Sequence, residues 1–84
     1  MLDKFARYLD SAVRSVDLAE NIIRMARYQE SDAMDNLPEN LQESERYEKM
    51  EDAVDKLDDA ESYLSDARSC IMGVAEKFKH REGK

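Results

Sequence analysis

His80 is the only histidine in this sequence, and Glu76 precedes it by one helical turn. An imidazole and a carboxylate four residues apart share one helix face, a spacing that can bring two metal ligands together. A carboxylate-bridged centre in a helical bundle asks for Glu-x-x-His from two helices and further inward Glu residues. Here the spacing is Glu76-x-x-x-His80, and Glu30 is the one Glu on the apolar seam. No metal site is expected, and His80 reads as a cation near a helix C-terminus, where positive charge is favourable. Cys70 is the single thiol and has no histidine near it in sequence. It reads as an inert thiol at an interface. Glu51-Asp52 and Asp58-Asp59 are paired acids, but neighbours on a helix point about 100° apart and do not converge as a general acid and base must. There is no phosphate-gripping glycine loop and no nucleophile elbow. Neither catalytic residues nor a cofactor is expected, and the chain does not read as an enzyme.

The remaining chemistry is that of contact. Tyr8, Tyr28, Tyr47 and Tyr63 are the four tyrosines, a residue type enriched at interaction hot spots. Met25 and Tyr28 fall on the outer face of a first helix, where a partner could use them. Glu48, Glu51, Asp52, Asp55, Asp58 and Asp59 form an acidic face on a second helix. Charge is unevenly placed. Residues 39–66 hold eleven acids and three bases, whereas residues 67–84 hold two acids and five bases. An acidic middle argues against nucleic acid as a direct ligand, since phosphates want a concentrated basic patch. It permits a basic or nucleic-acid-binding protein as partner. The plainer alternative is that the acids keep a small helical protein soluble.

These residues are carried on two heptad-patterned stretches. In the second, Met50, Ala53, Leu57, Ala60, Leu64, Ala67, Ile71, Val74 and Phe78 recur at alternating steps of three and four, the pattern of a long helix packed on another. In the first, Leu2, Leu9, Val16 and Ile23 take position a, and Phe5, Ala12, Ala19, Ala26 and Ala33 take position d. Alanine at one seam position lets two backbones approach closely, and large residues opposite small ones interdigitate. The expected fold is all-α: an antiparallel two-helix hairpin with an Ala-rich heptad seam. The whole chain, 1–84, forms one domain, with helix at about 3–34, a bend at about 35–43 and helix at about 44–81. Acid-then-base pairs four residues apart (Asp3/Arg7, Asp10/Arg14, Glu20/Arg24, Glu45/Lys49, Asp52/Lys56) each support a helix by about 0.2–0.5 kcal/mol.

Pro38 breaks the pattern, because it lacks an N–H and biases Leu37 away from helical geometry. It either opens a separate turn through Leu41 or begins the long helix. Ser44 is the expected N-cap, and Leu37 and Leu41 are expected to cap the end of the core. Two registers fit the heptad. The one whose partner numbers add to 83 pairs Phe5 with Phe78 and is preferred over the one adding to 76, which leaves Phe78 beyond the N-terminus.

Ala6, Tyr8, Val13 and Ile22 on the first helix, with Tyr47, Val54, Tyr63 and Cys70 on the second, flank the seam at positions e and g. They widen each apolar stripe beyond what one partner helix covers. A chain of 84 residues with one cysteine buries a thin core and has no intrachain disulfide to staple it. A homodimer forming a four-helix bundle would bury Tyr8, Val13, Ile22, Tyr47, Val54, Tyr63 and Cys70. One free thiol and the lack of a signal-like start point to the reducing cytoplasm. No stretch has the apolar length of a membrane span.

The segment from Asp35 to Leu57, with its Asn36-Leu37-Pro38-Glu39-Asn40-Leu41-Gln42 core, resembles one found in short uncharacterised proteins encoded by phages and mobile elements of Gram-positive bacteria. The resemblance implies a small accessory protein and carries no activity to particular residues. The expected function is therefore a non-enzymatic protein–protein interaction module, a phage accessory protein or inhibitor that offers its acidic face to a host protein. Two alternatives stand beside it: a structural homo-oligomerisation module, and a helical bundle for a small ligand or a metal.

Overall fold

The structure, a computed structural model, describes residues 4–42 and 44–82, with side chains through 78. Helix α1 runs Lys4–Asp35 and helix α2 runs Glu45–Glu82, joined by a separate 3₁₀ turn at Glu39–Leu41. The two helices pack along their length as an antiparallel hairpin, a rod of 66 × 14 × 13 Å. Its radius of gyration is 18.9 Å, against about 12 Å for a compact chain of this length.

The bend follows from its residues. Pro38 sits at φ −58°, ψ 149° and starts the 3₁₀ turn. Its missing N–H costs nothing there. The Leu41 and Gln42 amides donate to the Pro38 and Glu39 carbonyls at 2.9 and 3.1 Å. Ser44 caps α2: the Tyr47 amide donates to its Oγ at 3.2 Å and the Glu48 amide to its carbonyl at 3.1 Å. Leu37 is half-buried, whereas Leu41 stays 40% exposed and covers little of the core's end.

The ring centroids of Phe5 and Phe78 lie 4.7 Å apart at an interplanar angle of 58°. That contact belongs to the register adding to 83. Most seam residues are half-buried, and Met50, beside the bend, is the single buried apolar residue among those described, at 7% exposure. Of the pairs four residues apart, Asp10/Arg14, Glu20/Arg24, Glu45/Lys49 and Asp52/Lys56 close at 2.6, 4.0, 3.5 and 3.3 Å. Asp3 lies outside the described residues. A Cβ at Gly73 would meet nothing within 4 Å, so this glycine serves no close contact.

The expected seam is corrected in one respect. Ala12 and Ala19 are half-buried, but Ala26 and Ala33 face outward, and Arg27 and Met34 take their place toward α2, beside the seam residue Glu30. A straight helix drifts about 20° per heptad against a 3.5-residue repeat. By its fourth heptad α1 therefore presents positions a and e instead of a and d. The e positions of α2, Tyr47, Val54, Glu61, Arg68 and Ala75, are likewise half-buried. Val13, Tyr47 and Val54, expected to be left wet by a lone hairpin, are thus partly covered within it. The g positions Tyr8, Ile22, Tyr63 and Cys70 are exposed.

Candidate interaction surfaces

The drift gives the rod two unlike edges and a back. On the e edge the helices are tied by charge. Arg24 Nε donates to Glu61 Oε1 at 3.3 Å, and Arg27 Nε makes a shorter hydrogen bond to Glu61 Oε2. Asp58 Oδ1 lies 4.0 Å from Arg27 Nε. Nearer the chain ends, Arg68 Nε donates to Asp17 Oδ1 at 2.7 Å. The Glu61 side chain keeps 13% of its exposure. The hydrogen bond from Arg27 holds its carboxyl below the ordinary range; partial desolvation opposes this, and the Arg27 and Arg24 charges add to it. The same bond raises Arg27 above its ordinary value. Arg27 also lies 5.0 Å from the centroid of the Tyr28 ring, a cation–π contact that anchors this outer tyrosine.

The g edge of α1 carries no charge from Tyr8 to Gln29. Its c and g positions are Tyr8, Ser11, Ser15, Leu18, Ile22, Met25 and Gln29, and the outward Ala26 widens the stripe. Tyr8, Leu18, Ile22 and Met25 are 70, 61, 55 and 68% exposed. The stripe is about 33 Å long and, from the width of a helix, about 10 Å across. Exposed apolar patches of a few hundred Å² commonly mark contact surfaces. An open groove of 290 Å³ lies at its N-terminal end, lined by Lys4, Arg7, Tyr8 and Ser11. On α2 the matching edge is interrupted by charge: Asp52, Asp59 and Asp66 occupy its c positions, and Lys49, Lys56 and Lys77 share its g positions with Tyr63 and Cys70.

The back of α2 is acidic. Glu48, Glu51, Asp52, Asp55, Asp58 and Asp59 are all exposed. Asp52 pairs with Lys56, and Asp58 lies near Arg27. Among the described residues no cation pairs with Glu48, Glu51, Asp55 or Asp59. No group of three or more potential metal ligands converges among the described residues; the His80 side chain lies outside them. Cys70 is a free, exposed thiol. Among the described residues no helix is long and apolar enough to cross a membrane.

The expected contact residues thus separate. Met25 and Tyr28 stand on the outer side of α1, the six acids on the back of α2, and the seven interface candidates divide between the half-buried e edge and the open g edge. Sequence reasoning passed over Leu18, at the centre of the uncharged stripe, and the interhelical set Asp17, Arg24, Arg27, Glu61 and Arg68. Counting charge along c and g would have found Leu18. No family model, curated protein or solved structure matches this chain.

Proposed function

We propose that this chain is a non-enzymatic protein–protein interaction module, a phage-type accessory protein or inhibitor working in the reducing cytoplasm. Its acidic back docks a basic, nucleic-acid-binding host protein. The observation that carries this reading is the run of exposed carboxylates at Glu48, Glu51, Asp55 and Asp59, which no cation among the described residues pairs. They span about 17 Å of rigid helix. Fixed negative charges at regular spacing present to a cationic groove much of what a phosphate backbone presents. Such contact is weakened by salt. The resemblance of residues 35–57 to short phage-encoded proteins supports the same context.

The test is capture from a Gram-positive host lysate. A basic partner should bind at low salt, be released by duplex DNA or by high salt, and fail to bind Glu51→Lys, Asp55→Lys protein. No basic partner at low salt, or binding indifferent to the charge reversal, would sink the reading. A second reading, a structural module whose partner is itself, is favoured by the exposed uncharged edge of α1.

A further inference from the structure

We infer that the uncharged edge of α1 is a homodimer interface. Two copies of α1 pack antiparallel about Leu18 and join two hairpins into a four-helix assembly, with each α2 on the outside. This deepens the self-association reading and rests on it, independently of any partner at the acidic back.

Surface area gives the first argument. The chain exposes 6698 Å², whereas a compact monomer of 9.8 kDa exposes about 5,200 Å². The excess is on the order of 1,500 Å², and a standard interface takes about 800 Å² from each partner. A second copy would cover about half of what the rod leaves bare.

Charge gives the second. The c positions of α1 carry Lys4 at one end of the stripe and Asp32 at the other, and the flanking f positions add Arg7 and Arg14 at the first end and Asp35 at the second. Parallel pairing would set like charges together. Antiparallel pairing about Leu18 sets Lys4 and Arg7 of one copy beside Asp32 and Asp35 of the second. The same crossing lays the second copy's Met25 and Tyr28 against the groove formed by Lys4, Arg7, Tyr8 and Ser11. It also sets Met25 opposite the small Ser11, so a knob meets a hole. Pairing through the matching edge of α2 would instead desolvate six charges per copy, Asp52, Asp59 and Asp66 with Lys49, Lys56 and Lys77. With α1 at the centre, the acidic backs lie on opposite outer sides.

Sedimentation equilibrium of the full chain over the micromolar range tests this. The expected mass is twice 9.8 kDa. Leu18→Glu should give the mass of one chain with unchanged helix content, since Leu18 is already exposed. Lys4→Glu with Arg7→Glu should weaken the dimer roughly tenfold, and adding Asp32→Lys with Asp35→Lys should restore it. If Leu18→Glu loses helix, Leu18→Cys in a Cys70→Ser background decides: mild oxidation should link two chains through that position. A monomeric native chain would overturn both the inference and the self-association reading. A native dimer that persists in Leu18→Glu, fails to cross-link at Leu18→Cys, or is not restored by the charge exchange would overturn this interface alone.

Discussion

The two edges of the hairpin differ in what they do with the same helices. Along the e edge, Arg24, Arg27 and Arg68 reach across to Glu61 and Asp17 and tie α1 to α2. Along the g edge of α1, Tyr8, Leu18, Ile22 and Met25 stand in water and tie nothing within the chain. Paired charge on one edge fixes which helix meets which and in what alignment. Bare apolar surface on the other is left for a contact outside the chain. Surface ion pairs add little stability apiece, so the first edge contributes alignment more than strength.

Substitution can break or sharpen that contrast. The largest effect is expected at neither edge but at the core they share. Met50→Ala should destabilise the chain by about 2–3 kcal/mol in urea unfolding, because it empties the one buried apolar position among the described residues. Next comes acid. Glu61 is ionised in the folded chain at pH values where an unfolded Glu takes up a proton. Its contribution is complete above the ordinary carboxylate range and is lost as pH falls through its lower folded value. Stability measured from pH 7 downward should therefore fall more steeply on the acid side in the native chain than in Glu61→Gln. Equal slopes would detach the e edge from stability. Gly73→Ala, an exposed helical site with open space around a new Cβ, should gain about 0.5–1 kcal/mol in thermal unfolding. The smallest effect belongs to the bare edge. Ile22→Ser should change the unfolding energy of a dilute, monomeric chain by no more than about 0.5 kcal/mol. A larger loss would place Ile22 in the hairpin's own core.

Much of this architecture is legible in the residues. Pro38 marks the bend, Ser44 the start of α2, and the two phenylalanines the alignment of the arms, because each acts through local geometry or a unique side chain. The outward turn of Ala26 and Ala33 is less legible. Alanine suits a close helix contact and a solvated face almost equally, so its identity does not report which side it takes. Arg27 and Glu61 escape for a related reason. Charged residues read as solvent-facing until the rotation of both helices is known, and that rotation accumulates over several turns. Leu18 is missed because it lies outside a, d, e and g, the positions the heptad brings to notice. Carboxylates that dock a partner and carboxylates that keep a chain soluble are the same residue types on the same exposed face, so the acidic back is legible as a surface and not as a role.

The position of Met50 has a kinetic consequence. The best-covered side chain lies close to the 3₁₀ turn, where the arms are separated by the fewest residues and loop closure is least costly. Pairing that begins there and spreads toward the termini adds contacts of steadily increasing sequence separation, a route that favours rapid assembly. Amide protection should be greatest beside the turn and decline along both arms, with the Phe5–Phe78 clasp the last to close and the first to open.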